Sequence, residues 1–84
     1  MTNPLILKSI LKILVRVEDV YLREETLAAE VEIAIDRPMK TTEFADALGE
    51  LKDRDLIERD ATMLGDTMWH ITGKGKLAAR EGIG

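Results

Sequence analysis

The feature that most constrains this chain is a change of hydrophobic period within residues 41–72. Phe44, Leu48 and Leu51 recur at i, i+4 and i+7, a spacing that places them on one side of an α-helix. Residues 56–72 instead show the short runs of apolar, β-branched and aromatic residues that are typical of strands. A helix followed directly by a β-hairpin is therefore the unit to which the other segments must be added.

The predicted helix has one apolar face and one acidic face. Thr41 or Thr42 is expected to cap it, because a threonine hydroxyl accepts a hydrogen bond from a free amide of the first turn, and the helix then spans residues 42–53. Four carboxylates recur at spacings of three and four on the side opposite the apolar stripe: Glu43, Asp46, Glu50 and Asp53. This acidic, solvent-facing surface is a candidate interaction face for a partner.

The hairpin is predicted from its turn and from the alternation of its strands. A Leu-Gly-Asp turn at residues 64–66 separates strands at residues 56–59 and 67–72. Because side chains alternate along a strand, Trp69 is expected to face the core and His70 the solvent. The hairpin is thus expected to form a small wing beside the helix.

The remaining segments supply three more helices and one short strand. Asn3 is expected to cap the first helix, with Pro4 at its first position, and Thr72 is expected to cap the last. The predicted helices lie at residues 5–17, 24–35 and 73–81, and the first strand at residues 20–22. With the helix and hairpin described above they give the order α-β-α-α-β-β-α, a mainly α fold with a small β-hairpin, in a single domain of residues 1–84.

Two segments carry a resemblance to a known family. Residues 48–57 combine a Leu-x-x-Leu helix end, a charged corner Asp53-Arg54-Asp55 and then Leu-Ile, which is similar to the recognition helix and second strand of winged-helix regulators. Residues 69–76 resemble the strand-to-helix junction that these families commonly write as aromatic-x-Leu-Thr-x-x-Gly-Arg. The resemblance implies a winged helix-turn-helix domain like those of small bacterial or phage regulators, with the helix 42–53 in the position that meets DNA.

The first helix is more apolar than a surface helix needs to be. Lys8, Lys12 and Arg16 form one solvent-facing row, while the apolar residues cover an arc of roughly 200°. One small domain is not expected to cover that arc, so one flank is predicted to form a homodimer interface: Ile6, Ile10, Ile13 and Val17. The alternative is that the last helix covers this flank within one chain, through Leu77 and Ala78.

Composition argues against several classes of protein. The apolar start of the chain is interrupted by lysine and arginine, so neither a signal peptide nor a membrane span is expected. The chain lacks cysteine and has one histidine, which leaves little material for a nucleophile or a metal site. We therefore expect a cytoplasmic protein that is not an enzyme and uses no metal or other cofactor.

The charge of the chain and of its acidic helix favours one of two candidate functions. The net charge of −4 and the acidic helix face set like charges against phosphates, which disfavours DNA as a partner. The preferred hypothesis is therefore a protein-interaction module or dimeric adaptor of bacterial or phage type. The alternative is a DNA-binding transcriptional regulator that contacts DNA through the wing and the helix 42–53. Its possible nucleic-acid contacts are Lys40, Arg54, Arg59, Lys74 and Lys76.

Overall fold

The computed structural model describes residues 3–17, 20–62 and 64–81 of the chain. Its elements follow the predicted order: α1 (Pro4–Arg16), β1 (Leu22–Arg23), α2 (Glu24–Ile35), α3 (Thr41–Asp53), β2 (Ile57–Ala61), β3 (Thr67–Ile71) and α4 (Gly73–Glu81). The three strands form one antiparallel sheet in the order β1-β3-β2. Among the described helices none is both long and apolar enough to cross a membrane.

Helix α1 is the centre of the core. Asn3 caps it as predicted, because its side chain accepts a hydrogen bond of 2.9 Å from the amide of Leu5. Helices α2, α3 and α4 and strand β3 all contact α1. Most of its side chains are consequently buried: Ile6, Leu7, Ser9, Ile10, Leu11, Ile13 and Leu14. Its exposed stripe is the predicted basic row together with Leu5.

The prediction that one flank of α1 lacks an intramolecular partner is wrong. Ile6 and Ile10 are 0% exposed and Ile13 is 6% exposed within a single chain, and Val17 is half-buried. The alternative, coverage by the last helix, is nearer to the structure, because α4 packs on α1. The reason for expecting a homodimer through this flank, an uncovered apolar surface, is therefore removed. Self-association of the chain stays a prediction.

Helix α4 packs through small side chains. Ala78 and Ala79 contact the core, whereas Leu77, which was expected to pack with Ala78, is 57% exposed. The predicted cap is confirmed, since the Thr72 hydroxyl accepts a hydrogen bond of 2.9 Å from the amide of Gly75. Alanines allow a short helix to approach closely, so α4 covers α1 without using its one leucine.

The turn between α2 and α3 is closed by carboxylates. Glu32 of α2 accepts a hydrogen bond of 2.8 Å from the amide of Met39. At the start of α3 the prediction of a threonine cap is wrong, because Lys40 occupies the N-cap position. Glu43, in the first turn of α3, instead accepts a hydrogen bond of 3.1 Å from the backbone amide of the N-cap residue Lys40.

The sheet places Trp69 against the helices as predicted. Trp69 is 4% exposed, and Ile71 beside it on the same face is also buried. Strand β1 begins at Leu22, which lies opposite Trp69 in β3. It therefore starts two residues later than the predicted strand at residues 20–22. His70 and Met68 point to the other face, but they are half-buried rather than fully exposed.

Candidate functional site

A groove runs between α3 and the wing, which is the β2–β3 hairpin. Its volume is about 280 Å³. Helix α3 contributes Ala45, Gly49 and Lys52 to one wall, and the hairpin contributes Arg59 and Thr67 to the other. Leu48, Trp69 and Glu24 complete the lining. The groove therefore has a cation on each side and small side chains on the helix.

The register of the hairpin explains why Arg59 faces the groove. Arg59 lies directly opposite Trp69, and opposite residues of an antiparallel pair project from the same face of the sheet. Trp69 faces the helices, so Arg59 also projects towards α3 from the edge strand β2. Arg59 was among the predicted basic contacts, whereas Lys52 was not. The sequence feature that could have predicted Lys52 as a groove residue is its position four residues after Leu48, on the flank of the apolar stripe.

The predicted acidic face of α3 is partly neutralised. The Arg37 guanidinium donates to both oxygens of Glu43, from Nη1 to Oε1 at 3.3 Å and from Nη2 to Oε2 at 3.1 Å. This hydrogen bonding, followed by the Lys40 amide, lowers the pKa of Glu43, and the Glu43 carboxylate raises the pKa of Arg37. Glu50 forms a second ion pair with Arg54 at 3.6 Å.

Asp46 and Asp53 are the carboxylates of this face that stay exposed. Neither forms an ion pair with any residue that the structure describes. On the helical wheel of α3 they lie beside Thr42 and Gly49, at the position farthest from Phe44. The outward face therefore carries two free negative charges rather than four.

The structure does not bring the five predicted basic contacts together. Lys40 lies at the start of α3 and Arg54 at its end, about 20 Å apart along a helix of this length. Lys74 and Lys76 lie near the Arg54 end, because the Thr72 hydroxyl donates to the Asp55 carbonyl at 2.7 Å. Only Arg59 of this set lines the groove between α3 and the wing.

A second cleft lies between α2, the start of α3 and the tip of the wing. Its volume is about 410 Å³, and its lining includes Glu24, Glu25, Glu32 and Asp66. Most of these carboxylates already serve the fold. Glu24 accepts a hydrogen bond from Trp69, Glu32 accepts the Met39 amide, and Asp66 lies 3.8 Å from Arg23. The cleft is thus a junction of structural contacts.

His70 of β3 lies between Tyr21, the residue before β1, and Glu58 of β2. Its ring stacks on Tyr21 with the ring centres 4.5 Å apart, and its Nδ1 atom lies 3.9 Å from Oε2 of Glu58. In the part of the chain that the structure describes, no three metal-ligating side chains come together. The contact that the structure shows for the His70 ring is its stacking on Tyr21.

Four helices with a three-stranded antiparallel sheet, in which the hairpin directly follows α3, make this a winged helix-turn-helix domain. The class matches the resemblance found in the sequence, and α3 is the second helix of the helix-turn-helix. The mainly α fold class with the order α-β-α-α-β-β-α is confirmed.

Solved structures with this fold come from different sources. RosR from H. salinarum is 17% identical with a TM-score of 0.78, and the comparison covers 90% of this chain and 66% of RosR. F93 from STIV, described as a winged-helix DNA-binding protein, is 22% identical with a TM-score of 0.72, over 88% of this chain and 78% of F93. A candidate transcriptional regulator from Thermoplasma acidophilum is 23% identical with a TM-score of 0.73, over 94% of this chain and 75% of that protein.

Sequence comparison adds no family, because no protein-family model and no curated protein sequence matches the chain. At these identities the likeness to solved structures shows the fold alone. Two of these neighbours carry a description of their own role: F93 is described as a DNA-binding protein and the Thermoplasma protein as a candidate transcriptional regulator. The function has to be argued from the surfaces of this chain.

Proposed function

We propose that this chain is a DNA-binding winged-helix module that contacts duplex DNA through α3 and the wing. This is the alternative of the two functions considered from sequence. The observation that carries it is the groove with Lys52 on one wall and Arg59 on the other. Two cations that flank a helix and a wing are placed to contact phosphates on either side of a DNA groove.

The neutralisation of the acidic face supports the same proposal. DNA was disfavoured from sequence because of the net charge of −4 and the four carboxylates of α3, and two of these carboxylates are paired with Arg37 and Arg54. The small side chains of Ala45 and Gly49 allow the backbone of α3 to approach a partner closely. The neighbour F93 is described as a DNA-binding protein, which favours this function by analogy of fold.

A specific observation keeps a second function in view. Asp46 and Asp53 are exposed and unpaired among the described residues, and the chain carries a net charge of −4. An outward acidic face suits a basic surface on a protein partner, as in the adaptor that the sequence favoured. Removal of these carboxylates should strengthen binding if the partner is DNA, and it should weaken binding if the partner is a basic protein surface.

The experiment measures binding of short fluorescent duplexes of mixed and native genomic sequence by fluorescence anisotropy, between about 50 and 200 mM salt. Arg59→Ala and Lys52→Ala are each expected to weaken binding and to reduce the slope of log K against log salt by about 0.9. Lys12→Ala is the charge-matched control, because Lys12 lies on the exposed row of α1, outside the groove.

Substitution of the two exposed carboxylates tests the DNA function further. Asp46→Asn with Asp53→Asn is expected to strengthen duplex binding, because it removes repulsion from phosphates. If the wild type binds no duplex at low salt, the DNA function fails. If binding responds equally to Arg59→Ala and Lys12→Ala, the attraction is a property of overall charge and the proposed face is wrong.

A further inference from the structure

Helix α1 carries a basic row, formed by Lys8, Lys12 and Arg16, on its exposed side. The three residues are spaced by four, and all of them are exposed. The helix contains no aspartate or glutamate, and no cation of the row forms an ion pair with a residue that the structure describes. At 1.5 Å per residue the row is about 12 Å long. In a chain of net charge −4 it is therefore a local surface of the opposite sign.

Helix α3 carries a surface of complementary charge, the acidic strip formed by Asp46, Glu50 and Asp53. Asp46 and Asp53 are exposed, and neither forms an ion pair with a described residue. They lie about 10 Å apart along the helix. Glu50 lies between them, and its pair with Arg54 is a surface contact of 3.6 Å. The acidic strip thus matches the basic row in length and opposes it in charge.

The basic row and the acidic strip do not meet within one chain. Both helices bury their apolar sides in the same core. The basic row is the side of α1 that stays exposed, and the two aspartates lie farthest from the buried Phe44 on α3. Among the described residues no ion pair joins the two helices. A surface that complements either one must therefore come from another molecule, and every second copy of this chain carries both.

We propose that the basic row of α1 docks on the acidic strip of α3 in a second copy of the chain. The two surfaces differ, so the contact is head to tail and leaves one row and one strip open to further copies. The net charge of −4 makes copies repel one another in other orientations, which favours this one. Exposed ion pairs are individually weak, so the association is reversible, needs concentrated protein and is lost as salt rises.

The docked copy also covers part of α3. Gly49, which lines the groove between α3 and the wing, lies beside Asp46 on the helical wheel. A copy seated on the acidic strip therefore stands next to the face proposed to contact DNA, and a duplex has to displace it. This consequence rests on the proposed DNA-binding function, whereas the contact between copies does not.

The test uses sedimentation velocity and two charge-reversed variants. At about 0.5 mM protein and about 20 mM salt the wild type should have an average mass above that of the monomer, and it should return to the monomer mass by about 300 mM salt. Lys8→Glu with Lys12→Glu reverses the row, and Asp46→Lys with Asp53→Lys reverses the strip. Each variant alone should be monomeric. An equimolar mixture should associate again, because each reversed surface then meets its complement. Circular dichroism checks that both variants fold.

A control with the same change of net charge separates this contact from overall charge. Lys74→Glu with Arg80→Glu alters two exposed residues of α4, and this variant should associate as the wild type does. The contact is overturned if the control dissociates as fully as the reversed row does, or if the mixture of reversed variants stays monomeric.

Two further outcomes concern the occupant of the row and the proposed function. If the wild type stays monomeric at low salt but sediments with vesicles of anionic lipid, and the reversed row does not, a lipid surface occupies the row and the contact between copies is overturned. If the wild type associates and the mixture restores association, while no duplex binds at low salt, the contact is supported and only the DNA-binding function fails.

Discussion

The indole Nε1 of Trp69 donates a hydrogen bond of 3.0 Å to Oε1 of Glu24, a contact between residues far apart in sequence. Trp69 lies in β3 and Glu24 begins α2, so the bond joins the wing to the helix-turn-helix. An indole that is almost fully buried needs a partner for its N–H group, and Glu24 is that partner. The same two residues line the groove next to Arg59, so the bond also fixes the wall of the proposed DNA site.

Trp69→Ala is expected to lower the free energy of unfolding by about 3 to 5 kcal/mol, because it removes a large buried side chain and leaves a cavity. In so small a domain that loss is comparable with the whole stability. Chemical denaturation followed by circular dichroism measures it. Native tryptophan emission should be shifted to the blue of free indole, and emission at the wavelength of free indole would contradict the burial of Trp69.

The hydrogen bond itself is tested with Glu24→Ala and Trp69→Phe. Each loses the bond, so in a double-mutant cycle their effects should not add. Glu25→Ala is a matched control, since Glu25 lies next along α2, is exposed, and forms no ion pair with the described residues. Additive effects of Glu24→Ala and Trp69→Phe would show that the bond contributes nothing to stability.

Gly75 provides a second prediction about the fold. A Cβ atom at this position would overlap the carbonyl oxygen of Leu56 and lie 2.8 Å from Cγ1 of Ile71. Gly75→Ala is therefore expected to destabilise the domain, although alanine is the better helix former. Thermal unfolding should show a lower Tm, and an unchanged or higher Tm would mean that α4 shifts without cost.

Gly49→Ala is the matched control for Gly75→Ala. Gly49 also lies within a helix, but a Cβ there would have no atom within 4 Å. The substitution should stabilise the domain by about 0.5 to 1 kcal/mol, the usual difference between the two residues inside a helix. Because Gly49 lines the groove, the same variant should bind duplex DNA more weakly if the groove is used.

Most of the fold was predicted correctly from the sequence, because the sequence patterns that indicate its helices and strands are local. The cap at Asn3, the period of Phe44, Leu48 and Leu51, and the alternation around Trp69 each act over a few residues. Spacing and capping chemistry are properties that a single chain displays without knowledge of its tertiary contacts.

The surfaces were predicted less well than the fold, because they depend on contacts between residues that are far apart in the sequence or lie in different elements. Ile6 and Ile10 are buried because α2, α3, α4 and β3 all pack on α1, and the local sequence pattern of α1 does not indicate those contacts. The pairing of Arg37 with Glu43 depends on the path of the turn between two helices. The acidic face was therefore overestimated, and with it the argument against DNA.

The pair of Arg37 and Glu43 makes stability depend on pH. Hydrogen bonding to Arg37 lowers the pKa of Glu43, so the folded state favours the ionised carboxylate. The stabilisation is present above the ordinary glutamate pKa and is lost as the pH falls through the lowered pKa of Glu43. Glu43→Gln should thus be less stable than the wild type at neutral pH, and the difference should shrink in acid.

Urea denaturation at a series of pH values measures this dependence. Glu50→Gln is the control, because its pair with Arg54 is a longer surface contact of 3.6 Å on a single helix and is expected to contribute little. A difference between Glu43→Gln and the wild type that stays constant into acid would mean that the charge of Glu43 has no part in closing the turn.

The burial of α1 changes what substitutions on this helix should do. Ile6→Glu with Ile13→Glu places two carboxylates at positions that are 0% and 6% exposed within one chain. The domain should then unfold, because an unpaired charge in an apolar core is strongly destabilising. Leu5→Glu is the control on the same helix. Leu5 is 50% exposed beside the basic row, so that variant should stay folded. Circular dichroism with light scattering tests both variants. A double variant that stays folded and changes a dimer into a monomer would contradict the burial of this flank and restore it as the homodimer interface.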